Sequence, residues 1–159
     1  MTIPVKERFF EDYVAGESLS YGDYLMTEQE IIEFATRFDP QAFHIDPVAA
    51  RQSSFAGLAA SGWHTASASM RMLVDHFIPP KASMGSPGID ELRWLQPVRP
   101  GDRLRVRSTV VETRRSQSKP DRGIVRVRHE TLNQRDEVVM TFTGMALYRC
   151  REAVAPDSR

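Results

Sequence analysis

A carboxylate and an imidazole lie close together in one stretch of this sequence, FDPQAFH, as Asp39 and His44. Such a pair can hold one water molecule, with one group taking its proton and the other orienting it or returning the proton. Pro40 keeps Asp39 out of the α-helical region, and Asp46 followed by Pro47 predicts a helix N-cap. We therefore predict that the pair sits on an irregular segment between two helices, where catalytic side chains concentrate.

A second candidate follows at the start of a predicted long helix, at Ser61 and Gly62. Backbone N–H groups at a helix N-terminus, together with the helix dipole, suit an oxyanion. A glycine there also lets a ligand approach the backbone closely. A plain capping site is the alternative for Gly62, and Ser61 either caps the helix or lines a pocket.

Other chemistries find less support in the residues. An Asp before Pro is also common turn chemistry, so structural roles for the pair stay open. His64, His76 and His129 have no Cys or carboxylate partner at metal-ligand spacing, so we predict no metal site. The sequence holds neither a Gly-x-Ser-x-Gly elbow nor a phosphate-binding glycine loop.

The overall composition narrows the class of protein. A chain of 159 residues is long enough for one domain with a real core. Its 21 basic and 21 acidic residues balance, which argues against nucleic acid as a partner. The single cysteine, Cys150, excludes an intrachain disulfide and favours a reducing compartment. We find no signal peptide and no apolar run of membrane-spanning length, so we expect a cytoplasmic protein without membrane contact.

The elements that must position these residues follow from patterning. We predict a strand region over 9–26 with a turn at 14–17, and a helix that begins with a capping box of Thr27 and Glu30. A helix over 61–77 carries small and apolar residues on several faces, which indicates close packing. We expect Met70 and Leu73 to be core residues of this helix.

The second half of the chain has strand periodicity. Alternating apolar residues mark four strands after the long helix, and the last of them, over 138–148, is apolar enough on both sides to be central. This order predicts an α+β fold with an antiparallel sheet around a buried helix. We expect a lead-in over 1–8, one domain over 9–150, and a disordered tail over 151–159.

The spacing of Asp39 and His44, followed by Phe55, Gly57 and the tripeptide SGW at 61–63, resembles the MaoC-like dehydratases, also called (R)-specific enoyl-CoA hydratases. The similarity extends over roughly 9–148. The family signature is about Asp-x-Asn-x-x-His, and Gln41 replaces its Asn here. Ser61 stands where the family often has His.

The resemblance implies a single hotdog fold, in which a curved antiparallel sheet wraps around the long helix and a loop–helix insertion carries the Asp/His pair. It implies reversible hydration of trans-2-enoyl thioesters to (R)-3-hydroxyacyl thioesters, with Asp39 and His44 catalytic. Gly62, Ser61 and Gly57 would contact the oxyanion or the substrate. Coenzyme A or an acyl-carrier protein would carry the thioester, no cofactor would be needed, and the chain would form a homodimer or a dimer of dimers.

Two alternatives stay open. A hotdog thioesterase would hydrolyse the same thioesters, but such enzymes generally place an acidic residue on the long helix, where this chain offers only Asp75 near the far end. The other alternative is a non-catalytic acyl-thioester-binding subunit, against which the intact Asp39 and His44 argue. The arginines of the predicted strands, Arg103–Arg107 and Arg126–Arg128, are typical of a solvated sheet face, and contact with the phosphates of coenzyme A is the alternative.

Overall fold

The computed structural model describes residues 2–152, so most of the predicted tail lies outside the described residues. Five strands form one antiparallel sheet in the order β1-β3-β4-β5-β2. The strands are β1 (Ser18–Leu25), β2 (Ile89–Trp94), β3 (Arg103–Arg115), β4 (Arg122–Leu132) and β5 (Val138–Arg149). The last strand is flanked on both sides, as its apolar sequence predicted.

Four helices lie between β1 and β2. They are α1 (Glu28–Phe38), α2 (Ala42–Ile45), α3 (Pro47–Arg51) and α4 (Gly62–His76). Thr27 caps α1 by accepting a hydrogen bond from the Glu30 amide. The other half of the predicted capping box is absent among residues 2–152, because the Glu30 carboxylate turns instead to Tyr24 and His64.

The long helix α4 packs against the sheet, and their shared side chains form the core. Met72 and Leu73 of α4 are buried in one cluster with Leu104, Val106 and Met140 from the strands. The bounds of α4 match the predicted helix to within one residue at each end. The α+β architecture is confirmed, and the arrangement of one long helix on an antiparallel sheet is the hotdog fold.

Two local predictions were wrong. Only 18–25 of the predicted strand region forms a strand, because Phe10–Asp12 folds as a turn of 3-10 helix before it. Met70 is not a core residue: it is 48% exposed, whereas Leu73 is 5% exposed. The lead-in is tied to the domain at its end, since buried Arg8 pairs with Glu17 at 2.6 Å.

The sheet has two edges, and β2 is the one beside the start of α4. This strand pairs only with β5 among the described residues. A bulge at Glu91, whose φ is 54°, interrupts its register. No helix within residues 2–152 is long and apolar enough to cross a bilayer.

Candidate active site

Asp39 and His44 are held by the ends of two helices. Asp39 is the C-cap of α1, where its amide donates to the Ala35 carbonyl at 2.8 Å. His44 lies within the four-residue helix α2, so only the first of the pair sits on irregular backbone as predicted. The short helix turns the His44 ring back toward α1, and this local fold brings the two side chains together.

The His44 imidazole is oriented by the backbone. Its Nδ1 lies 2.6 Å from the carbonyl oxygen of Ala59. A carbonyl can only accept, so Nδ1 carries the hydrogen, and in the neutral ring Nε2 is an acceptor. This Nε2 lies 3.4 Å from Oδ2 of Asp39. The pair therefore presents two acceptors to the same point in space, the arrangement that two hydrogens of one water can satisfy.

The Asp39 carboxylate is held by two donors. Gln41 Nε2 donates to Oδ1 at 2.7 Å and Ser61 Oγ donates to Oδ2 at 2.7 Å. Burial alone would raise the pKa of Asp39, but these hydrogen bonds and the nearby His44 outweigh it and lower the pKa below its usual value. Asp39 is therefore ionised at neutral pH.

Ser61 does both things that the sequence left open. It is fully buried, and its Oγ accepts from the Trp63 amide at 3.3 Å, which caps α4. The same hydroxyl donates to Asp39. One side chain thus fixes the start of the long helix and one oxygen of the carboxylate.

Gly62 begins α4, and a tryptophan explains why it is glycine. A Cβ at this position would lie 2.4 Å from Cε2 of Trp94, and Trp94 Nε1 donates to the Gly62 carbonyl at 2.9 Å. The close neighbour of this backbone is therefore a protein ring, where the sequence suggested a ligand. The Gly62 amide has no acceptor among the described residues, and Gly62 is one of the residues that line a cavity.

A cavity of about 550 Å³ opens beside the pair. It is bounded by the insertion, by the first turn of α4 and by the end of β2 with the loop after it. Its walls are formed by Asp39, Gln41, Phe43, His44, Phe55, Ala60, Gly62, Trp63, Thr65, Trp94, Leu95, Gln96, Pro97 and Val98. Two charged or titratable groups thus meet an otherwise largely apolar space, which is typical of a small-molecule site.

Gly57 does not reach this cavity. Its carbonyl accepts from Arg99 Nη1 at 2.9 Å, and Arg99 also binds the carbonyls of Phe55 and Leu58. The geometry therefore gives the predicted contact of Gly57 with substrate no support. Arg99 instead ties together the loop that leads into α4.

Sequence reasoning missed the wall contributed by the end of β2. Trp94, Leu95 and Gln96 lie far from the Asp/His segment along the chain and reach it through the pairing of β2 with β5. The pattern of alternating residues showed a strand there but not which element it borders. A large aromatic residue just before a proline-containing loop was the one available signal.

His64 has a structural role. It is 2% exposed, stacks on Phe34 with ring centroids 4.7 Å apart, and its Nε2 lies 3.1 Å from Glu30. Among residues 2–152, no three His, Cys, Asp or Glu side chains are grouped so that they could hold a metal ion. His64 instead links α1 to α4.

Comparison with known proteins decides the family. The chain matches the MaoC like domain over residues 13–150. It belongs to this family. A crystal structure of the MaoC-like dehydratase from Rhodospirillum rubrum is 44% identical, with a TM-score of 0.86 over 91% of this chain and 99% of that one.

Two curated relatives are similar over shorter stretches. Protein MaoC from Klebsiella aerogenes is 32% identical over 103 residues, which cover 64% of this chain and 30% of that protein. Mesaconyl-CoA hydratase from Cereibacter sphaeroides is 42% identical over 69 residues, which cover 43% of this chain and 20% of the hydratase. The matched part thus spans less than a third of either relative.

Proposed function

We propose that this protein reversibly hydrates trans-2-enoyl thioesters to 3-hydroxyacyl thioesters. The observation that carries the proposal is the approach of His44 Nε2 to Asp39 Oδ2, 3.4 Å apart on the wall of a largely apolar cavity. Membership of the MaoC like domain family and the similarity to a mesaconyl-CoA hydratase support it. By the resemblance to (R)-specific hydratases, the product would be the (R)-3-hydroxyacyl thioester.

The pair would activate the water that adds to the double bond. One hydrogen of the water points to His44 Nε2 and the other to Asp39 Oδ2. The ionised Asp39 orients the water and stabilises the imidazolium that forms when His44 takes its proton. The water oxygen bonds to the β-carbon, and the electrons of the double bond move to the thioester oxygen. His44 then returns the proton to the α-carbon, so that one water is added overall.

The negative charge on the thioester oxygen needs a donor. In this proposal the Gly62 amide provides it, at the N-terminus of α4 where the helix dipole also favours negative charge. Removing a single oxyanion donor costs on the order of 100- to 1000-fold in turnover in well-studied enzymes. Trp94 holds the next peptide group in place by donating to the Gly62 carbonyl.

Thioester hydrolysis is the competing function, and the position of Asp75 argues against it. This carboxylate, near the far end of α4, pairs with Arg71 at 3.0 Å and does not line the cavity. A non-catalytic subunit would not need a carboxylate whose two oxygens each receive a donor beside an oriented imidazole. We therefore favour hydration, with coenzyme A or an acyl-carrier protein as the carrier and a homodimer as the working unit.

One assay separates these functions. Crotonyl-CoA and longer enoyl-CoA substrates are followed for loss of enone absorbance and, in parallel, for release of free thiol. We expect enone loss that disappears in Asp39→Asn and persists in Asp75→Asn, the matched carboxamide control. Thiol release that needs Asp75 and not Asp39 would establish the thioesterase. Substrate binding without either reaction would establish the binding subunit.

A further inference from the structure

Arg99 binds backbone carbonyls, and all of them lie in the loop before α4. Its Nη1 donates to the carbonyl of Gly57 at 2.9 Å and to that of Leu58 at 3.3 Å, and its Nη2 donates to the carbonyl of Phe55. In the described part of the chain, these carbonyls are the only hydrogen-bond partners of the guanidinium. Arg99 does not line the cavity beside the candidate pair, so it acts on the site through other residues.

The next carbonyl along the loop holds the imidazole. Ala59 directly follows the residues that Arg99 binds, and its carbonyl oxygen lies 2.6 Å from His44 Nδ1. The Ala60 amide belongs to the same planar peptide group and donates to the carbonyl of Val98 at 2.8 Å. Val98 and Arg99, which are neighbours in the chain, therefore hold this peptide group and the backbone just before it.

Ala56, in the middle of this loop, has a disfavoured backbone conformation. Its φ is 54°, in the left-handed region that residues other than glycine seldom adopt. Arg99 binds the carbonyls of the residues on either side of it, Phe55 and Gly57. Such a conformation persists where the surrounding structure fixes it. Loss of the guanidinium would therefore allow the loop to relax.

Arg99 itself projects from a fixed turn. Its amide donates to Asp102 Oδ2 at 2.8 Å, and the Asp102 amide donates to the Arg99 carbonyl at 3.0 Å. Pro100 and Gly101, whose φ is 88°, occupy the central positions of this turn, as in a type II turn. Asp102 is 3% exposed, and Gln134 donates to its other oxygen at 2.9 Å. The loop before α4 is thus held by a side chain whose own backbone is anchored.

We infer that Arg99 is a positioning residue for His44 and acts through the Ala59 carbonyl. That carbonyl can only accept, so it keeps the hydrogen of the neutral imidazole on Nδ1 and leaves Nε2 free to accept from a water molecule. If the loop relaxes and the carbonyl moves away, the ring can carry its hydrogen on either nitrogen. The form with the hydrogen on Nε2 cannot take a proton there. The inference rests on the proposed function for the role of Nε2.

The position of the imidazole hydrogen can be observed without any substrate. NMR of isotope-labelled histidine distinguishes a protonated ring nitrogen from an accepting one, and His44→Ala identifies the His44 signals among those of four histidines. At alkaline pH, where free imidazole is neutral, His44 of the unaltered protein should show the Nδ1–H tautomer alone. Arg99→Ala should give a mixture of both tautomers, whereas the signals of buried His64 and His129 should stay in place.

Two further variants separate the causes. Arg99→Lys keeps the charge but lacks the planar fork that spans three carbonyls, so it should give the same mixture to a smaller extent. Arg122→Ala removes a different arginine, which begins β4 and pairs with Asp121 at 2.9 Å, and should keep the single tautomer. Circular dichroism checks that each variant is folded.

Turnover provides a second measurement. Arg99→Ala should lower kcat for crotonyl-CoA about tenfold or more, as for the groups that orient metal-binding imidazoles. KM should change much less, because Arg99 does not line the cavity. A raised KM with unchanged kcat would overturn the inference, since Arg99 would then shape the cavity and not orient the imidazole.

An unchanged single tautomer in Arg99→Ala would also overturn the inference, and Arg99→Lys decides in the same way if the alanine variant does not fold. Loss of the single tautomer in Arg122→Ala would overturn it too, because the effect would not be specific to Arg99. The hydration assay on the unaltered protein is independent of these results. A tautomer that depends on Arg99, found without hydration, would refute the proposed function and leave the positioning role standing.

Discussion

Ser61 Oγ donates to Asp39 Oδ2 at 2.7 Å and so joins the N-cap residue of α4 to the C-cap residue of α1. The same oxygen accepts from the Trp63 amide. One hydroxyl thereby connects the start of α4, where the proposed oxyanion donor Gly62 lies, with the carboxylate of the candidate pair. This buried contact holds the Asp39 carboxylate in a fixed position relative to the first turn of α4.

Removal of the Ser61 hydroxyl should change the pH dependence of turnover. Its hydrogen bond is one of the causes that lower the pKa of Asp39, so Ser61→Ala should let that pKa rise. The activity needs the ionised carboxylate. As the solution is acidified, the variant should therefore lose activity at a higher pH than the unaltered protein does. The measurement is kcat/KM against pH for an enoyl-CoA substrate.

Ser61→Gly is the matched control, because glycine also lacks the hydroxyl but is a better N-cap than alanine. Both variants should shift the acid limb equally. Ser61→Ala should also lower the free energy of unfolding by about 1 kcal/mol, and Ser61→Gly by less. An acid limb unchanged in both variants would show that Asp39 does not set it.

Asp39→Asn and His44→Ala should each lower turnover of crotonyl-CoA at least about a hundredfold, the low end for a lost acid–base group. Neither side chain is a large apolar core residue, so both variants should fold, as circular dichroism can check. The double variant should lose little more than the worse single variant, because the two groups act on one water. Full additivity of the two losses would indicate that they act independently.

The sequence was sufficient for the parts of the site that are local. The four residues of the candidate site fall within one stretch of sequence: Asp39, His44, Ser61 and Gly62. Helix-capping signals in this stretch predicted that they lie between helices or at a helix start. The burial of individual α4 residues was harder to foresee, because apolar side chains occur on several faces of the helix. We therefore predicted that Met70 is a core residue, but Leu73 is on the buried face of the helix and Met70 is not.

Contacts made through sheet pairing could not be read from the sequence. Trp94 reaches Gly62 only because β2 pairs with β5 and not with its neighbour in the chain. The predicted return contact of the Glu30 side chain with the backbone at Thr27 does not form, for a similar reason. The Glu30 carboxylate finds a tertiary partner in His64, which competes with the local backbone.

Gly62→Ala should damage both stability and turnover, because the new methyl group would overlap the Trp94 ring. Replacing Trp94 by Leu should remove the clash, although it also removes the bond to the Gly62 carbonyl. Denaturation of the two single variants and the double variant should thus give a strongly non-additive cycle, with the double variant more stable than the sum of the losses predicts. Additive losses would show that the two residues do not touch in solution.

Leu73→Ala and Met70→Ala form a matched pair on α4. Leu73 is buried in the main core cluster, so its truncation should lower the free energy of unfolding by about 2–5 kcal/mol. Met70 is half exposed, so its truncation should cost clearly less. Chemical denaturation followed by fluorescence measures both. Equal losses would mean that Met70 is buried in solution, for which a partner subunit is the simplest cause.

The exposed apolar residues beside β2 lead to the last prediction, a two-fold dimer. Met70 and Val74 of α4 and Ile89 and Trp94 of β2 are each 45–49% exposed, and α4 meets β2 where Gly62 contacts Trp94. An open edge strand next to apolar side chains is usually covered, and a second copy would pair β2 with β2 antiparallel. That pairing would bring the end of one strand, at the candidate site, to the beginning of the other.

Light scattering should therefore give twice the chain mass at micromolar concentration. Val74→Glu should shift the protein toward monomer, because it places a charge in the contact. Val111→Glu is the matched control, since Val111 is 52% exposed on β3, away from this edge, and its variant should remain dimeric. If the dimer completes the substrate site, the Val74→Glu monomer should hydrate crotonyl-CoA more slowly, although Asp39 and His44 stay intact. A monomeric unaltered protein would contradict the prediction directly.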